Sequence, residues 1–180
     1  MCRFVTATLP ATAPIAALDA IARAHARQLR PLASPSVQQQ LVAGEAYFLT
    51  TLGECDCGGP LGRGRSSQTT DWDEKARRLA LKGWSPAKVA RALGQKREHA
   101  DADAEAEKRR VDEAMATWVA FIKNMLQSGH VRELGLLLHQ DRGPLDEDVA
   151  LRERRRVKVT AALPEVLRDL DEDVLYLFHG

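Results

Sequence analysis

Residues 131–139 read Val-Arg-Glu-Leu-Gly-Leu-Leu-Leu-His, a mostly apolar run between Gly129 and the turn Asp141-Arg142-Gly143-Pro144. A run of that length between two turn signals predicts a largely buried strand. What precedes it is of the other kind. From about Asp101 to Gln127, Val111, Met115, Trp118, Val119, Ile122, Met125 and Leu126 recur at three- and four-residue steps, the apolar stripe of an amphipathic helix. Acidic residues crowd its first turns and Lys123 lies near its end, as the helix dipole favours. Gly129 supplies the stop.

Outward from this junction the same two periodicities recur. Cys2 to Leu9 is rich in β-branched and aromatic residues and predicts a strand ended by Pro10. Further strands are expected over 46–51, over 154–159 as an edge, and over 174–178. Thr12 is a candidate cap for a helix with Pro14 in its first turn and Ile15, Leu18, Ile21, Ala22 and Ala26 on one face. One turn of helix is expected from Ser36 to Leu41, and longer helices over 72–82 (capped by Asp71, closed by Gly83) and from Ser85-Pro86 to Gly94. Short helices complete the pattern at 146–153 and 164–170. The expected fold is a single α+β domain over 1–180. It has a small mixed sheet (strands near 2–9, 46–51, 131–139, 154–159 and 174–178), a helical insertion at about 71–128, and a flexible Gly/Arg/Ser loop at 53–70.

Composition narrows function mainly by exclusion. The 180 residues carry 26 basic and 25 acidic side chains, a net charge of +1, which lacks the basic surplus that generic nucleic-acid binding uses. No apolar run approaches a membrane span, and the first residues do not resemble a signal peptide, so a cytoplasmic location is expected. Three cysteines in a reducing compartment argue against a structural disulfide framework. The abundance of alanine and arginine suggests a GC-rich bacterial coding bias.

Those cysteines form the one constellation with evident chemistry. Cys2 starts the first strand, and Cys55-Asp56-Cys57 follows the second. If the two strands are antiparallel neighbours, three thiols meet at one sheet edge. Zinc favours thiolates in a tetrahedral set of four, so Cys2, Cys55 and Cys57 with His139 as the fourth, or His179 in its place, are the candidate metal ligands. A C-x-C spacing is tighter than the usual C-x-x-C knuckle. The same thiols could instead be small buried hydrophobes or reactive groups. For a reactive thiol, Arg3, Arg63 and Arg65 would lower the pKa while Glu54 and Asp56 oppose them.

Met1-Cys2-Arg3 resembles the opening of class II glutamine amidotransferases, which implies an N-terminal cysteine nucleophile with its own amine as base. That family also uses an Asn-Gly pair for the oxyanion, and the lone asparagine here is Asn124, so the likeness stops at three residues. Residues 76–94 resemble the first two helices of resolvase- and transposase-type helix-turn-helix domains, which implies a recognition helix next. The following Gln95 to Glu105 is acidic where such a helix meets phosphates. Gly59 to Ser66 imitates a phosphate-binding loop without the adjoining strand and helix that such a loop needs.

No catalytic set survives. The leading expectation is a small cytoplasmic bacterial protein that binds another protein, in the manner of immunity proteins or adaptors. Basic Arg154, Arg155 and Arg156 and acidic Asp171, Glu172 and Asp173 would be the contact residues. The alternative is the thiol centre, binding zinc or performing redox or nucleophilic chemistry. Apart from that zinc no cofactor is expected, and degenerate helix-turn-helix DNA binding is the third reading.

Overall fold

The computed structural model describes residues 2–64, 71–141 and 149–180. They divide into two compact units, one made of residues 2–64, 114–141 and 149–180 and the other of residues 71–113.

The larger unit is built on one sheet. Its strands are β1 (Cys2–Pro10), β2 (Arg30–Pro31), β3 (Glu45–Leu49), β4 (Glu133–Asp141), β5 (Glu153–Lys158) and β6 (Val174–His179), in the order β2-β3-β1-β4-β6-β5. All neighbours are antiparallel except β5 and β6, so the sheet is mixed and the fold is α+β. The expected strands are all present within one or two residues. The two-residue β2, too short to leave a pattern, is an addition.

Registers separate the two faces. Val5, Ala7 and Leu9 of β1, Phe48 of β3, Leu134, Leu136 and Leu138 of β4, and Val174, Tyr176 and Phe178 of β6 belong to the main core. Against them pack Leu18 and Ala22 of α1 (Ile15–Ala24), Leu163 and Leu167 of α5 (Leu163–Arg168), and Trp118, Phe121, Ile122 and Met125 from the helix over Pro86–Gln127. The opposite face carries Tyr47, Leu137, Leu175 and Leu177, covered by Val37 of the single-turn α2 (Pro35–Gln38) and by Val149. Gly135 interrupts the leucine run of β4 because Thr8 lies directly across from it. A Cβ there would come 1.9 Å from Thr8 Oγ1.

The smaller unit holds α3 (Trp72–Leu81) and the N-terminal part of α4 (Pro86–Gln127). Asp71 caps α3 by accepting the Glu74 N–H at 2.9 Å, as expected. Gly83, at φ +80°, makes the turn between the helices, and Val89 and Leu93 are buried.

Some local expectations are corrected. Helix α4 does not stop at Gly94. It runs 42 residues through it. An interior glycine costs only about 1 kcal/mol relative to alanine, and Gln95-Lys96-Arg97-Glu98 after it are good helix formers with no proline among them. The second helix and the supposed recognition helix of a helix-turn-helix are therefore one element. Pro14 sits at the N-cap of α1 rather than in its first turn, and no side chain caps that helix. Of the helix expected over 146–153, residues 146–148 lie outside the described ones, and Glu153 already belongs to β5. No helix among the described residues is long and apolar enough to cross a membrane.

Candidate metal centre

The strands β1 and β3 are antiparallel neighbours, but β3 is the shorter, and their pairing begins only at Thr6. The first residues of β1 therefore offer an unpaired backbone edge, which residues 50–57 take up. Thr50 N–H donates to the Val5 carbonyl at 3.2 Å and Asp56 N–H to that of Arg3 at 2.7 Å. Arg3 N–H in return donates to Cys57 Sγ at 3.2 Å.

Asp56 holds this segment down. Its carboxylate turns inward, where Oδ2 accepts from Val5 N–H (3.0 Å) and from the Thr51 hydroxyl, and Oδ1 accepts from Arg27 Nη1 at 2.6 Å. The Arg27 guanidinium stacks 4.2 Å from the centre of the Trp118 ring. With Asp56 turned in, its two neighbours turn toward Cys2. The sulfurs of Cys2, Cys55 and Cys57 all lie within 4.8 Å of one another, with Cys2 and Cys57 exposed and Cys55 half-buried. All three are thiols.

The expectation that Asp56 would oppose an ionised thiol is thus corrected, because its charge is matched by Arg27 beneath the loop. Sequence reasoning missed Arg27 and Thr51. A basic residue 29 positions away from an acid leaves no pattern that marks them as partners. Arg3 also steadies the site by donating from its side chain to the Leu61 carbonyl (3.1 Å), and Arg63 donates to the Gly58 carbonyl (3.1 Å). Arg65 lies outside the described residues, as does Ser66 of the phosphate-loop imitation. The amides of Gly62 and Gly64 donate to the Leu167 and Arg168 carbonyls of α5 instead of facing an anion.

The sulfurs are not equivalent. The Cys55 thiol donates to Cys57 Sγ, and together with the Arg3 N–H this lowers the Cys57 pKa below the ordinary thiol value. Cys55 itself accepts from the Cys57 N–H, which lowers its pKa. The donated proton, burial and the neighbouring sulfurs outweigh that effect, and the pKa is raised. Below the usual thiol pKa, Cys57 therefore carries the larger thiolate fraction. Brief alkylation with iodoacetamide near neutral pH, followed by mass mapping, is expected to label Cys57 before Cys55. Equal labelling would contradict this asymmetry.

His139 stands opposite Phe4, two residues from the Cys2↔Asp141 pair and on the same sheet face as Cys2. It lies outside the three-sulfur group, with Nδ1 2.7 Å from Asp173 Oδ1. His179 pairs with Glu133, at the opposite end of β4 from Cys2, so topology removes it as a fourth ligand.

The other candidate residues sit elsewhere on the sheet. Arg154 forms a two-point ion pair with Glu45 (2.5 and 3.0 Å). Arg155 meets Glu153 at 2.7 Å, Asp171 at 3.4 Å and the Tyr176 hydroxyl at 3.1 Å. Arg156 lies 3.1 Å from Glu133. The Glu172 carbonyl accepts from Arg152, and Asp173 is the partner of His139. The basic and acidic groups thus meet one another and nearby residues within the fold, which leaves less of their charge for an outside partner.

Comparison with family models, with curated proteins and with solved structures returned no match to this chain.

Proposed function

We propose that this protein binds a thiophilic metal ion of the zinc class through Cys2, Cys55 and Cys57. The observation that carries the reading is the convergence of three sulfurs, from segments more than fifty residues apart, within 4.8 Å. Thiolates are the soft ligands that zinc prefers, at about 2.3 Å, which in a tetrahedral site sets sulfurs about 3.8 Å apart. Rotation of exposed side chains such as Cys2 and Cys57 is enough to close from the observed spacing to that one. Three thiolates so near one another repel unless a cation lies between them, and a divalent ion removes that penalty while displacing the protons. The Asp56 anchor adds to the case. It positions the loop without placing its own carboxylate among the sulfurs, which leaves a sulfur-only set that disfavours magnesium and calcium.

The test is elemental analysis of protein purified without chelator, followed by zinc titration with a thiol count. About one equivalent of zinc is expected, with loss of thiol reactivity on loading. Cys55→Ser should weaken zinc affinity at least 100-fold. Three reactive thiols in folded protein given excess zinc, with no ion retained, would overturn the reading.

A further inference from the structure

We infer that His139 is the fourth ligand of that ion and that Asp173 is the positioning residue that aims it. The inference rests on the three-thiolate reading above.

Three neighbouring strands carry the argument. On β1 and β4, Cys2 is opposite Asp141 and Phe4 opposite His139. Cys2 and His139 are therefore diagonal neighbours on one face, with separations of about 7–8 Å. A cysteine, an ion and an imidazole span such a gap, since zinc–sulfur bonds are about 2.3 Å and zinc–nitrogen bonds about 2.0 Å. Because β4 and β6 pair with Leu137 opposite Leu175, Asp173 comes opposite His139 one step beyond the first residue of β6. The order sulfur, imidazole, carboxylate thus crosses β1, β4 and the start of β6.

The imidazole is already oriented. Its Nδ1 is engaged by Asp173 Oδ1 at 2.7 Å, which leaves Nε2 as the nitrogen available to a metal. Histidines that bind metals almost always give their other ring nitrogen to a carboxylate or carbonyl in this way. Asp173 is held for the task. It is a non-glycine residue at φ +59°, a left-handed conformation that carries strain. Two backbone bonds keep it there, from its own N–H to the Leu138 carbonyl (2.9 Å) and from Arg152 N–H to its carbonyl (2.8 Å). Tyr47 belongs to the same face. Burial, with a smaller contribution from the Asp173 charge, pushes its phenol up to about 12. A Cys3His set closes the tetrahedron, as structural zinc sites do. It ties the start of β1, the 50–57 segment and the end of β4 together.

The experiment is cobalt(II) titration of the full chain with zinc as competitor, comparing the unaltered protein with Cys55→Ser, His139→Ala and Asp173→Asn. Asparagine tolerates the left-handed conformation, so this last variant removes the charge without breaking the turn. The unaltered protein should give tetrahedral cobalt bands with sulfur charge transfer. His139→Ala should keep the charge transfer, shift the ligand-field bands and weaken zinc affinity 10–100-fold. Asp173→Asn should leave the spectrum in place and weaken affinity about 10-fold or more. If His139→Ala binds with unaltered spectrum and affinity while Cys55→Ser abolishes binding, the histidine assignment falls and the three-thiolate reading stands. If the unaltered protein binds neither ion, both fall.

Discussion

Asp56→Ala is expected to lower folding stability by about 3–5 kcal/mol, the range for removing one partner of a buried ion pair. The reason lies in what the carboxylate satisfies. Its side chain is 8% exposed and that of Arg27 is 18% exposed, so Arg27 would be left charged and largely dehydrated. Arg27 Nε already has no hydrogen-bond partner among the described residues. Val5 N–H and the Thr51 hydroxyl would lose their acceptor as well. Urea denaturation followed by circular dichroism should show a lower midpoint with an unchanged slope. Pairing the change with Arg27→Met should recover part of the loss, because the stranded charge goes with it. A loss below about 1 kcal/mol would mean that the carboxylate is a surface ornament. The same substitution should disperse the sulfurs, since Asp56 is the point at which the Cys55–Cys57 segment is fastened to β1.

Much of the fold was legible because strand and helix periodicities in this chain are long and bounded by glycine or proline. The leucine run of β4 and the Met115–Leu126 stripe each carry enough apolar positions to outvote local noise. Positions that packing alone decides were not legible. Gly94 has the residue type of a stop, yet α4 continues through it, because a lone glycine only weakens a helix whose next residues favour helix. The two-residue β2 exists only because β3 is there to pair with it.

The site divides in the same way. That the two cysteine segments meet followed from reading β1 and β3 as antiparallel neighbours, and the sulfurs do come together. Which histidine could join them did not follow. His139 closes the run expected as a strand over 131–139 and His179 follows the one expected over 174–178, and only the strand order β1-β4-β6 with its registers puts one beside Cys2 and the other at the far end. Asp56 misled for a related reason. In a C-x-C segment the side chain between the sulfurs reads as their neighbour, although alternation sends it to the opposite side, where Arg27 waits.

Trp118→Ala is expected to cost about 3–5 kcal/mol, the range for truncating a buried aromatic to alanine. The ring is 2% exposed and meets Phe121 edge-on, with centroids 5.7 Å apart and planes at 73°. Ring truncation removes more than apolar area, because Trp118 is also the surface on which Arg27 rests at 4.2 Å. That contact links the helical layer to the thiol loop: Trp118 supports Arg27, Arg27 meets Asp56, and Asp56 holds the segment bearing Cys55 and Cys57. The combined loss in Trp118→Ala with Asp56→Ala should therefore differ from the sum of the two by about 0.5–3 kcal/mol, as for residues in one network. Circular dichroism is the suitable probe, since the substitution deletes a fluorophore. Trp118→Phe, which keeps an aromatic face beneath the guanidinium, should retain a good part of the stability. Strict additivity would mean that Trp118 acts through packing alone and that the loop is held from Asp56 outward, independent of the helix below.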